Sequence, residues 1–158
     1  MDDFERKKKK YTPHQAKLKI ESYCAYQERA QQEVRDKLYE WGLHEVDVEN
    51  IIATLIEDNF LNEERFAKAF ARGKFRLKDW GKIKIIQHLK AKRISAPLIK
   101  IALQEIDYEE YLTKIDILIA KRGISNSKNL SYEDKGKIVR YLQSKGYESD
   151  LIFERLKH

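Results

Sequence analysis

The 158 residues suffice for one domain or a short array of small repeats, and a 42% hydrophobic content can supply a core. Only 2 Pro and 6 Gly argue against a turn-rich all-β chain, and the abundance of Lys, Glu, Leu, Ala and Ile favours helix. Cys24 is the only cysteine, which excludes an intrachain disulfide; the charged N-terminus lacks a signal-peptide h-region and no apolar run nears the ~20 residues of a membrane span, so a cytoplasmic address is expected.

Residues 1–11 (MDDFERKKKKY) lack periodicity and are expected to form a disordered basic arm. Thr12-Pro13 marks a helix start that should carry the chain to about Ala30, with Leu18, Ile20, Tyr23, Cys24 and Tyr26 partly buried. Val34, Leu38 and Trp41 give a second helix over about 31–41, ended by Gly42. Asp47 is the expected cap of a third, with Ile51, Ile52, Leu55 and Ile56 as its stripe. Asn62 should cap the fourth, which places Phe66, Ala69, Phe70 and Leu77 inward. Asp79 should cap a fifth, with Ile83, Ile86 and Leu89 inward, and Ser95 a sixth, with Leu98, Ile99, Ala102, Leu103 and Ile106. Asp107 opens a seventh helix closed by Gly123, and 124–131 reads as a polar loop. Ser131 and Asp134 resemble a capping box for the eighth, which ends at Gly146, and Ser149 caps a last short helix.

Nine helices in three sets of three imply a repeat. Leu38, Leu89 and Leu142 superpose; four residues earlier stand Val34, Ile85 and Ile138, and four later Gly42, Arg93 and Gly146. An apolar residue follows each, Leu43, Ile94 or Tyr147, and then an apolar pair, Ile51-Ile52, Leu98-Ile99 or Leu151-Ile152. The expected fold is all-α: three tandem three-helix repeats, 12–60, 61–106 and 107–158, in an extended, curved right-handed or solenoid-like array stabilised by packing of neighbours.

Charge is strongly polarised. From Arg65 to Arg93 eleven basic residues face one acid, Asp79, a net of +10 in a chain of +6. Such a block suits a polyanion or an acidic partner. The candidate contact residues are Arg65, Arg72, Lys74, Arg76, Lys78 and Lys82, followed by Lys90, Lys92 and Arg93. Lys82 beside Gly81 at a helix N-terminus could admit an anion, and Phe75 and Trp80 could stack on bases, although core packing is the commoner use of such aromatics. The alternative for the charges is a solvated face balanced by Glu57, Asp58, Glu63 and Glu64.

No catalytic constellation is visible. The glycines of GKFRLKDWGK are too far apart for a phosphate loop, and Ile83 stands where Ser or Thr would follow the Lys. His14, His44, His88 and His158 lack metal spacing, and Cys24 on an amphipathic helix reads as a small buried residue. No catalytic residue, metal or cofactor is expected. Gly81-Lys82-Ile83 recurs as Gly136-Lys137-Ile138, but at a different register within the repeats.

Leu61-Asn62-Glu63-Glu64-Arg65-Phe66-Ala67, the basic run to Trp80-Gly81-Lys82, and Ile94-Ser95-x-x-Leu98-Ile99-x-x-Ala102-Leu103 together resemble the RecX family of recombinase regulators, from about Ala16 onward. Arg93 departs from a frequent family Gly, Glu63 from a frequent Asp, and the third repeat diverges at 124–131. The resemblance implies three tandem three-helix repeats in a cytoplasmic bacterial protein that binds the RecA recombinase filament along its groove and suppresses ATP hydrolysis, strand exchange and coprotease activity. A monomer with weak contact to single-stranded DNA is expected alongside.

Overall fold

A computed structural model describes residues 10–123 and 130–157. Most of the expected basic arm and of the 124–131 loop lies outside the described residues. Among the described residues there are nine α-helices and no strand. They are α1 (Pro13–Tyr26), α2 (Gln31–Glu40), α3 (Glu45–Glu57), α4 (Glu63–Lys78), α5 (Lys82–Ala91), α6 (Ala96–Leu103), α7 (Tyr108–Arg122), α8 (Tyr132–Lys145) and α9 (Ser149–Leu156). Two compact units result. One comprises the chain through Ala67 with Lys92–Ile94, and the other comprises Lys68–Ala91 with the chain from Ser95 onward.

In the first unit Thr12 caps α1 reciprocally: its Oγ1 accepts from the Gln15 N–H, and Gln15 Oε1 accepts from the Thr12 N–H. Ala16, Ile20 and Cys24, at i, i+4 and i+8, enter the core with Val34, Leu38 and Leu55. The helix stops at Tyr26, short of the expected Ala30. Glu33 accepts the Ala30 N–H at 3.1 Å and Ala30 is extended, so the chain must leave α1 before α2 can begin. Leu18 and Tyr26, expected inside, are 56% and 82% exposed. Tyr11, read as part of the arm, is instead fastened: its N–H donates to Trp41 O and its ring meets Trp41 edge-on at 5.4 Å. α3 begins at Glu45 after His44 rather than at an Asp47 cap. Asp47 lies in the first turn, where its carboxylate still opposes the helix dipole, and Ile56 faces outward.

The repeat register appears directly in the backbone. Gly42, Arg93 and Gly146 all have positive φ, at 87°, 61° and 99°. At Gly42 and Gly146 the hydrogen bonds are those of a Schellman motif, Leu43 N–H to Leu38 O and Tyr147 N–H to Leu142 O. Leu38, Leu89 and Leu142 are fully buried, as are Val34 and Ile85, with Ile138 nearly so. The second member of each apolar pair, Ile52, Ile99 or Ile152, is buried as well.

In the second unit one joint holds α4, α5, α7 and α8. α5 begins at Lys82, and Asp79 is not its cap. Asp79 sits at φ 59°, its carboxylate pairs with Lys114 Nζ at 2.7 Å, and its carbonyl accepts from the Tyr147 hydroxyl. The N–H groups at the start of α5 are met by protein: Gly81 N–H donates to Lys145 O at 2.7 Å, Ile83 N–H to Gly146 O at 2.9 Å, and Lys82 N–H to the Tyr111 hydroxyl at 2.9 Å. The Tyr111 hydroxyl in turn donates to Glu148. The orphan carbonyls of one helix thus complete the orphan donors of another. This approach needs two glycines. A Cβ on Gly81 would lie closer than 3.0 Å to the backbone of Gly146 and Tyr147, and one on Gly146 would do the same to Lys84. Ile85 and Leu89 are the inward residues of α5, while Ile83 is exposed; the helix starts at Lys82, two residues later than an Asp79 cap would place it.

Gly81→Ala and Gly146→Ala should each lower the unfolding free energy by roughly 1–3 kcal/mol, since the clash is with backbone and cannot relax by a rotamer change. Arg93→Gly should raise it by about 1 kcal/mol by relieving the left-handed strain that a Cβ imposes there. Urea titrations check both directions.

Burial raises the Tyr111 phenol above the ordinary 10.0, and its hydrogen bond to Glu148 raises it further; Tyr147 is raised by burial and then by the Asp79 charge. A raised folded-state pKa stabilises the fold fully below the ordinary phenol value, and that contribution is lost as pH climbs above it. Stability should therefore decline above about pH 10, by up to ~1.4 kcal/mol per pH unit for each phenol. Tyr111→Phe should make this alkaline slope shallower in urea titrations at stepped pH; an unchanged slope would rule Tyr111 out as its source.

Candidate functional site

The basic block occupies α4, the turn 79–81, α5 and the turn after it, which carries Lys92 and Arg93. Ala67, Ala71 and Phe75, one helical turn apart, form the buried face of α4. Glu63 and Glu64 open the helix and Arg76 and Lys78 close it, so both ends complement the dipole. Lys68, Arg72 and Arg76 recur at every fourth residue, off the buried face. Asn62 caps the helix as expected, with its Oδ1 accepting from the Arg65 N–H at 2.9 Å.

The nine candidate cations divide by environment. Arg76, Lys78, Lys90 and Arg93 are exposed. Arg65 is held by its own unit: Nε lies 2.5 Å from Glu28, and the guanidinium also donates to the Asn59 side chain and to the Asn59 and Phe60 carbonyls. It therefore ties the turn after α3 to the end of α1, contrary to its reading as a pure surface charge. Arg72 pairs with Glu105 at 2.5 Å, and Lys92 with Glu33 at 3.5 Å. Lys82 lies 4.8 Å over the Tyr111 ring. Lys74 stands over Phe70 and over Trp80, at 5.4 Å and 5.0 Å.

Trp80 is half-buried. Lys74 and Lys84 flank its ring, Lys84 at 4.7 Å, while His88 lies 4.4 Å and Phe70 6.2 Å away. Each such cation–π contact contributes about 0.5–1 kcal/mol near the surface. The indole thus gathers positive charge at the turn between α4 and α5. Phe75 is unsuited to stacking on bases, since it is 3% exposed and packs on Tyr111 at 5.8 Å. Leu77, expected on the inner face, is 82% exposed. The expected anion seat at Gly81-Lys82 is occupied by protein, because Lys145 O, Gly146 O and the Tyr111 hydroxyl take the N–H groups an anion would need. Gly81 serves close helix approach instead.

No group of three or more His, Cys, Asp or Glu among the described residues is placed to hold a metal ion. Cys24 is buried and its thiol is pushed up to about 11 by desolvation, so it is neutral at physiological pH. No helix of the described residues is long and apolar enough to cross a membrane.

Models of the first, second and third three-helix domains of RecX match residues 16–55, 62–103 and 109–156 respectively. The chain belongs to the RecX family. Similar curated RecX proteins are named regulatory proteins. That of Halalkalibacterium halodurans is 32% identical over 132 residues, covering 84% of this chain and 50% of the relative. That of Lactobacillus johnsonii is 30% identical over 151 residues, covering 96% and 56%. The chain spans about half the length of these curated relatives. A crystal structure of RecX from Lactobacillus salivarius matches with a TM-score of 0.81 at 26% identity, over 92% of this chain and 94% of that one. A second RecX crystal structure shares the fold with a TM-score of 0.79 at 24% identity, over 92% of this chain and 71% of that one.

Arg65→Gln should destabilise by about 1–2 kcal/mol, through loss of a charged hydrogen-bond cluster. Arg76→Gln, on an exposed position, should stay within ±0.5 kcal/mol. Paired chemical denaturation curves separate the two.

Proposed function

We propose that this RecX-family chain regulates a RecA-type recombinase by binding its nucleoprotein filament, without catalysis of its own, in the bacterial cytoplasm. The observation that carries the reading is the match of all three RecX domains, in order, along the chain. In this reading the repeats are 12–60, 61–106 and 107–158. The chain acts as a monomer, lowers ATP hydrolysis, strand exchange and coprotease activity, and touches single-stranded DNA weakly. The contact surface is the cationic turn between α4 and α5, where Lys74 and Lys84 flank Trp80, with Arg76, Lys78, Lys82 and Lys90 on the same two helices; Lys92 and Arg93 of the first unit are further contact residues. Arg65 and Arg72 support that surface by fixing their own elements.

The test is the DNA-dependent ATPase of the cognate recombinase, with and without this protein, over a range of DNA concentrations. Inhibition that survives excess DNA is expected. Inhibition abolished by excess DNA would indicate competition for the strand, and no inhibition would reject the reading. Lys74→Gln, Arg76→Gln and Lys78→Gln combined should leave helicity unchanged and weaken binding. Each lost phosphate-like contact should flatten the salt dependence by about one unit of slope. Binding as tight as the parent's at every salt concentration would remove this turn from the contact surface.

A further inference from the structure

α8 and α9 enclose a groove of about 610 Å³ that neither the core nor the basic turn uses. Its walls are Tyr132, Gly136, Val139 and Arg140 on α8, and Phe153 and Leu156 on α9. On α8 these positions follow i, i+4, i+7, i+8, and on α9 i, i+3, so two helix faces meet along one trough. Two aromatics stand open beside it, Tyr132 at 95% and Phe153 at 52% exposure. The trough is already in place: Arg155 on α9 pairs through two hydrogen bonds with Asp116 on α7, at 2.9 and 2.5 Å, and Ile152 is fully buried.

Gly136 gives the trough its depth. It lies inside α8, where glycine weakens a helix, and no backbone crowds it. A Cβ there would meet only the flexible guanidinium of Arg140, at 3.3 Å. Packing therefore does not require this glycine, unlike Gly81 and Gly146, and what its missing side chain leaves open is the groove. The rim is cationic: Lys135, Arg140 and Lys157 against Glu133. None of the ion pairs among the described residues engages those three cations.

We propose that this groove docks an acidic amphipathic helical segment of a protein partner. Its apolar anchors, at i, i+3, i+4 and i+7, lie over Gly136 between Val139, Phe153 and Leu156, and its carboxylates face Lys135, Arg140 and Lys157. The groove is separate from the turn between α4 and α5, and its test uses no recombinase and no activity assay.

The test is fluorescence anisotropy of the full chain with a fluorescein-labelled synthetic helix that carries Leu and Phe at those anchor positions and Asp and Glu elsewhere. Saturable binding is expected. Gly136→Leu, which fills the trough, should weaken it at least tenfold while leaving the thermal midpoint equal or higher. Lys135→Glu with Arg140→Glu should weaken it at least tenfold, as should replacing the peptide's Leu and Phe by Ser or its acids by Lys. Should Gly136→Leu lower the midpoint, Phe153→Glu on the exposed face of α9 provides the same readout without filling the helix junction. The proposal is overturned if the parent does not bind saturably, if the groove variants bind as tightly as the parent, or if the Ser peptide binds equally well. It is also overturned if Gly136→Leu weakens a labelled oligothymidylate as much as the peptide, which would make the groove a phosphate reader. Sedimentation showing a dimer of the parent that Phe153→Glu dissociates would assign the groove to a second copy and overturn it too.

Discussion

The second unit depends on the abutment of two helix ends. The carbonyls of Lys145 and Gly146, left over at the end of α8, meet the N–H groups of Gly81 and Ile83, left over at the start of α5. Positive and negative ends of two helix dipoles therefore cancel within the protein. The geometry works only because both helix ends present a glycine at the crossing. Around it, Phe75, Tyr111 and Tyr147 stack with centroids 5.8 and 5.2 Å apart, and Lys114 neutralises Asp79. Among the described residues no buried side-chain nitrogen or oxygen lacks a hydrogen-bond partner, as burial of such groups demands.

That joint governs how the positive charge is displayed. With the α5 donors already satisfied, the turn offers side-chain cations rather than backbone N–H groups. Recognition through such a surface is long-range, screened by salt and tolerant of geometry. Trp80 gives it a fixed centre, since Lys74 and Lys84 are both held against one ring. Arg65 and Arg72 show the limit of counting charges: each belongs to a half-buried ion pair, and the positive potential available to a partner is smaller than the formal +10 suggests.

The repeat was legible in the sequence because it rests on local rules. Leu38, Leu89 and Leu142, with the stop four residues after each, follow from helix period and from the left-handed turn a Schellman motif needs. Even Arg93, which lacks the glycine signature, takes that conformation, so register predicted its backbone better than residue type. The misread caps share one cause. Asp79 resembles a cap, but Lys114 and the carbonyls of α8 claim its surroundings; Asp47 resembles one too, but His44 precedes the actual first turn. Capping rules look three residues ahead, and partners as distant in sequence as Lys114, Lys145 and Gly146 lie beyond their range. The same limit hid Tyr111: Ile115 and Leu118 share its buried face at helical spacing, but nothing nearby in the sequence announces that its hydroxyl bridges Lys82 and Glu148. The Asn62 cap and the Thr12 box, both local, were readable directly.

The separation of the two abutting helix ends also sets an order of events during synthesis. The carbonyls that complete the Gly81 and Ile83 N–H groups belong to Lys145 and Gly146, so they are made long after α5 itself. At about 5–20 residues per second, the nascent chain carries an incomplete α5 for roughly 3–13 s. The first unit's core, from Ala16 to Leu61, is translated before that interval begins and can close on nearer contacts. On the ribosome, the cationic turn therefore waits for the last helices before its backbone is fixed, whereas the amino-terminal helices have no such delay.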